Sequence, residues 1–143
     1  MDMNEQAAFD SFLKDWEVDP LGAKKVLEGY RALLAGMEGV SLKYHCRPGV
    51  SYSIRAKGKG QTGRDLFVLV DVVDDDPAER WLSVCFYADL ITDPDELGDW
   101  VPEGLGGEDA ACFNYDEASA DMEAYIADRL KEAAAKACQD GAK

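Results

Sequence analysis

Hydrophobic residues recur along this chain in two rhythms, one near 3.6 residues and one near 2, and the places where the rhythm changes divide it into elements. Between Glu5 and Trp16, Ala8, Phe9, Phe12, Leu13 and Trp16 fall on one helical face. Asp19-Pro20 follows, an N-cap residue before a proline suited to a first helical turn. Val26, Leu27, Tyr30, Leu33, Leu34 and Met37 then form one stripe on a second predicted helix, with Gly36 and Gly39 as stops. From Ser41 to Arg47 the period is 2, with Leu42, Tyr44 and Cys46 opposite Lys43, His45 and Arg47. Arg47-Pro48-Gly49 is a turn signal, and Val50 to Lys57 reads as the returning strand. The run Gly58 to Gly63 is expected to be a mobile basic loop.

Asp65 to Val73 is apolar on both faces, which marks a central strand. Asp74-Asp75-Asp76-Pro77 ends it, and Trp81 to Asp89 alternates again, so the two predict an antiparallel hairpin with an acidic tip. Thr92 to Asp109 is expected to be irregular. Thr92-Asp93-Pro94 offers one helical turn through Glu96 and Leu97, and Pro102, Gly104, Gly106 and Gly107 argue against a regular element. Ala110 to Tyr115 is a last short strand. Asp116 is the expected cap of a final helix, with Met122, Tyr125, Ile126, Leu130, Ala133, Ala134 and Ala137 as its buried stripe. The expected fold is α+β: a single domain over residues 1–143, a two-layer sandwich with an antiparallel sheet of about five strands packed against two N-terminal helices and one C-terminal helix.

Apolar residues make up 47% of the chain, enough for one core. The apolar run from Leu66 to Val73 is interrupted by Asp71 and is far short of the roughly 20 residues that cross a bilayer, so no membrane is expected. The acidic N-terminal residues, followed by no apolar run, lead us to expect a cytoplasmic protein. The four cysteines are widely spread, without a Cys-x-x-Cys pair, and are expected as reduced thiols.

Charge changes the picture more. The net charge of −14 disfavours binding to nucleic-acid backbones, so no nucleic acid is expected as a partner. The charge is also segregated: residues 71–125 carry 17 acids and one base, Arg80, whereas residues 40–64 carry six bases and no acid.

Candidate chemistry is thin. His45 is the only histidine, and Cys46 beside it points to the other side of its strand, so the two form no dyad. No Gly-x-Ser-x-Gly elbow exists, the glycine-rich 58–63 segment lacks P-loop spacing, and the Cys/His spacing does not suit structural zinc. No catalytic residue is assigned, no cofactor is expected, and an enzyme is disfavoured. The order of elements resembles that of frataxin-like proteins, and the small acidic chain resembles class I secretion chaperones, but no site residue is carried over from either.

Two functions are expected from the acidic stretch. The first is protein binding, to a partner or a second copy of the chain, with Trp100, Val101 and Leu105 as apolar anchors among carboxylates that steer a basic surface. The second is divalent-cation binding through the carboxylates of the 74–79 or the 93–109 loops, with Asp93, Asp95 and Asp99 as the candidate ligands, where acids and Gly98 partly follow an EF-hand-like spacing.

Overall fold

The computed structural model describes residues 1–143. Three helices, α1 (Met3–Asp15), α2 (Ala23–Ala35) and α3 (Ala120–Ala137), cover one face of an antiparallel sheet. The strands are β1 (Val40–Arg47), β2 (Ser51–Gly58), β3 (Val68–Val73), β4 (Trp81–Tyr87), β5 (Asp99–Leu105) and β6 (Glu108–Tyr115), in the order β1-β2-β3-β4-β6-β5. The α+β class and the placing of the helices agree with the sequence, but the sheet has six strands, not five. No helix is long and apolar enough to cross a membrane.

The core forms where three helical stripes meet one pleated face. Phe9, Phe12 and Trp16 of α1, Val26, Leu27, Tyr30 and Leu34 of α2, and Ile126, Leu130 and Ala133 of α3 close over Ile54, Val70, Val84 and Phe113. The Tyr30 hydroxyl donates to the Glu123 carbonyl at 2.9 Å and ties α2 to α3. Helix starts differ in detail from expectation. Asp19 does cap α2, but from outside: its carboxylate accepts from the amides of Ala23 and Lys24 at 2.9 and 3.0 Å, and Pro20 lies in a turn before the helix. Ser119, not Asp116, caps α3, accepting from the Met122 amide at 3.1 Å.

The glycine-rich segment after β2 is tied down rather than mobile. The Lys59 amide donates to Gly39 at 2.8 Å, the Gly60 amide to Ala137 at 3.1 Å, and the Gln61 side chain bridges the Gly58 amide and the Leu66 carbonyl, each at 2.9 Å. A Cβ on Gly58 or Gly60 would run into the backbone of Ala137 or Gln139 at the end of α3. The glycines serve close approach, not flexibility.

Asp74 is likewise no solvated tip residue. It is buried, accepting from Arg80 Nε at 2.7 Å and from the Gly49 amide at 2.8 Å. Cys85 and Cys112 stand directly opposite each other on β4 and β6, with Cα atoms 4.1 Å apart, and are joined as a disulfide. Cys46 and Cys138 remain free. This corrects the expectation of four reduced thiols: the two partners are 27 residues apart in sequence and meet because β6 docks beside β4.

The far face of the sheet has no helix on it. Strand register sets rows across it, among them Lys43–Arg55–Leu69–Cys85–Cys112–Asp99 and His45–Ser53–Asp71–Ser83–Asn114. The charge segregation of the sequence becomes spatial. Of the basic segment only Arg64 reaches the acidic edge. Lys43, Arg47, Arg55 and Lys57 lie on the β1–β2 edge and Asp99, Glu103, Glu108 and Asp109 on the β6–β5 edge, about 24 Å away at the usual strand spacing. That is several times the Debye length of about 8 Å at physiological salt, so neither edge neutralises the other.

A candidate protein-binding edge

The outermost strand, β5, lies in the stretch expected to be irregular. Gly106 and Gly107, with φ of 58° and 83°, form a two-residue turn that folds β5 back on β6, and Leu105 pairs with Glu108. Positive φ at both turn residues suits the right-handed twist of a hairpin, so these glycines build the strand pair instead of preventing it. The pairing shifts register between Val101 and Leu105. Within this bulge Glu103 takes φ 54° and its amide donates to the Asp109 carboxylate at 3.0 Å, while a Cβ on Gly104 would overlap the Val101 side chain.

This edge differs from the one at β1. There α1 covers the rim, and Glu5 accepts from the Tyr44 amide at 2.7 Å. β5 carries no such cover. It presents Trp100, 64% exposed, and Val101, 37% exposed, whereas Leu105 is buried beside Tyr87 and Ala110. Of the three predicted anchors, Trp100 and Val101 are therefore available to a partner, and Leu105 instead holds the hairpin to the domain. Pro102, the bulge and the surrounding acids interrupt the edge, as in sheets that resist indiscriminate strand pairing. Recognition here falls to side chains.

Trp100 separates two clefts. One, of about 490 Å³, is lined by Trp100, Asp89, Glu103, Glu108, Asp109 and Arg64. Its base is built: Arg64 donates to both oxygens of Asp89 at 3.0 Å and to both of Glu108 at 3.1 and 2.7 Å, and its guanidinium lies 3.8 Å from the centre of the Tyr87 ring. The Arg64 hydrogen bonds hold the carboxyls of Asp89 and Glu108 below their ordinary values, so both stay ionised across the physiological range. With Arg64, and Lys143 at 3.6 Å from Asp89, set against four carboxylates, the cleft retains an excess of negative charge beside an indole face. The other cleft, of about 310 Å³, is lined by Trp100 with Ile91, Asp93, Glu96, Gly98 and Asp99.

Of the predicted cation ligands, Asp93 and Asp99 reach this second cleft and Asp95 does not. Asp93 is committed elsewhere. Its carboxylate accepts from the Leu97 and Gly98 amides at 3.0 and 2.9 Å and from the Tyr125 hydroxyl, and it stabilises a turn rather than starting a helix. Burial pushes its carboxyl up, but these three donors outweigh burial and hold it low. No group of three or more His, Cys, Asp or Glu side chains is placed to hold a metal ion, and Asp74 of the 74–79 segment is taken by Arg80 and Gly49.

His45 faces a third cleft, on the uncovered side of the sheet, together with one carboxylate, Asp65. No hydrogen bond joins the two, and His45 and Asp71 flank Ser53 rather than forming a Ser-His-Asp chain. Sequence reasoning assigned no role to Arg64 and counted Glu103, Glu108 and Asp109 only among the carboxylates of the 93–109 loop. The signal that places these three acids is Gly106-Gly107: read as a hairpin turn, it sets Leu105 against Glu108 and Glu103 near Asp109. Comparison with known proteins finds no matching family model, no similar curated protein and no similar solved structure.

Proposed function

We infer that this protein is a non-enzymatic protein-binding module whose β5 edge takes a basic, extended segment of another protein. The observation that carries this reading is Trp100, 64% exposed on the outermost strand and set between two acid-lined clefts. An indole face attracts a lysine or arginine head, and Glu103 and Asp109 supply the counter-charge beside it. A cytoplasmic place of action belongs to the same proposal, in which the Cys85–Cys112 disulfide is an exception to the reduced thiols usual in that compartment.

The test is titration of the protein with a lysine- and arginine-rich peptide and with an acidic peptide of equal length. Binding of the basic peptide alone, weakened by salt, is expected. Trp100→Ala should lower its affinity about 30-fold, the effect of losing a central aromatic anchor. Equal binding by Trp100→Ala and the parent protein would remove the proposal.

A second copy of the chain is the second reading, favoured by the opposite charges at the two sheet edges. Such a contact is heterologous, so it extends into chains rather than closing as a dimer. Sedimentation at low salt is then expected to show a series of oligomers that salt dissolves. A monomer at low and high salt would end this reading.

A further inference from the structure

The edge opposite Trp100 carries the strongest unexplained feature of the molecule. On the uncovered face, Lys43 of β1 stands directly across from Arg55 of β2, with Lys57 two residues further along β2 and His45 two residues further along β1. Like charges facing each other across a strand pair are destabilising. In a chain with 29 carboxylates, relief should be easy to find. Yet every ion pair in the structure lies elsewhere: on Arg64, Arg80, Arg129, Lys131 and Lys143. Lys43, Arg55 and Lys57 have none.

These side chains converge on a cleft of about 270 Å³, walled on the far side by Asp65 and Leu66. Nε of Arg55, buried beside this cleft, has no hydrogen-bond partner. In the next row of the same face the hydroxyl of Ser53, a residue only 1% exposed, and Oδ1 of Asp71, paired in register with it, are also buried without partners. Buried donors are nearly always satisfied, by the protein, by ordered water or by a bound ligand. Burial, then the positive field of Arg55, keeps the His45 imidazole below its ordinary value, against an opposing pull from Glu5.

We propose that the Lys43–His45–Arg55–Lys57 cleft is a binding site for a small phosphate-type dianion, a phosphate monoester or free phosphate. An arginine fork with two flanking ammonium groups matches the tetrahedral oxygens of such a group. A long polyanion suits the cleft less. Asp65 closes one side, Asp71 lies in the next row of the same face, and the rest of the protein repels phosphate backbones. The site is at the opposite edge of the sheet from Trp100, so it stands whether or not the β5 reading survives.

The test is an amide NMR titration with inorganic phosphate and with phenyl phosphate, against chloride at equal ionic strength. Saturable shifts confined to Ser41–Lys57 and Asp65–Leu66 are expected, and Trp100→Ala should leave them unchanged. Arg55→Gln should weaken phosphate affinity about 10-fold or more, as loss of a charge-assisted hydrogen bond does. The same variant separates a ligand site from a structural role. In phosphate-free buffer it relieves the repulsion with Lys43, so its melting temperature should equal or exceed the parent's. Tighter saturation by phenyl phosphate than by inorganic phosphate would identify the monoester as the ligand, and the reverse would identify the free ion. Several results would overturn the proposal. They are shifts no larger than those with chloride, an Arg55→Gln protein that melts lower and responds to phosphate unchanged, or saturation only by an oligonucleotide.

Discussion

Asp74→Ala is expected to lower stability by about 3–5 kcal/mol at neutral pH, the range for removing one partner of a buried ion pair. Asp74 is 3% exposed, and its two oxygens are divided between Arg80 and the Gly49 amide. Arg80 in turn lies 5.3 Å from the centre of the Phe12 ring and 5.5 Å from those of Trp16 and Tyr52. One carboxylate thus joins the β1–β2 turn, the β3–β4 hairpin and α1, and its loss strands a guanidinium among aromatic rings. The effect carries a pH signature. Burial pushes the Asp74 carboxyl up, but the Gly49 amide and Arg80 outweigh it, so the folded value lies below the ordinary one. A depressed folded value adds stability that is complete above the unfolded pKa near 4 and is lost as pH falls through the folded value. The gap between parent and variant should therefore be full at pH 7 and shrink below about pH 4. Urea unfolding at both pH values measures it. A gap under about 1 kcal/mol at neutral pH, or one that does not change with acid, would show that the pair contributes no more than a surface bridge.

Phe113→Ala should have a comparable effect, about 3–5 kcal/mol, for a different reason. Its ring is fully buried and lies 5.9 Å from the centres of both the Phe86 and Tyr125 rings, and the backbone of Gly98 packs so closely on it that a Cβ there would come within 2.8 Å. Truncation leaves a cavity that three separate elements cannot all close. The denaturant midpoint should fall without a change in slope. Because β6 is the only strand that holds β5, the amides of Asp99 to Val101 should lose protection against hydrogen exchange before those of β3. A loss near 0.5 kcal/mol, typical of surface changes, would mean that Phe113 does not support the edge.

Much of the fold was legible because burial leaves a period. The three helices show stripes, and β1 shows alternation, since each meets the core on one side only. β3 is apolar on both faces because it is central and its outer side chains, Leu69 and Val73, are still half-buried. β5 was missed for the converse reason. Six of its seven residues are exposed, so no alternation is written into it, and a bulge with Pro102 and Gly104 breaks what pattern remains. The loop after β2 was misread because glycine permits both flexibility and close approach, and only the neighbouring backbone of α3 tells which. Asp74 was misread because a run of three aspartates does not reveal which one turns inward.

The sequence alone determined the layers of this protein: where the chain is helical, where it is pleated, and that acids and bases occupy different segments. These are local properties, read from neighbours a few residues apart. Tertiary structure decided strand order, and with it everything that bears on function. Placing β6 beside β4 brings Cys85 to Cys112, pushes β5 and Trp100 to the rim, and sets the acidic β5–β6 hairpin at the opposite edge from the basic strands β1 and β2. Strand order depends on contacts between residues distant in sequence, which periodicity does not encode.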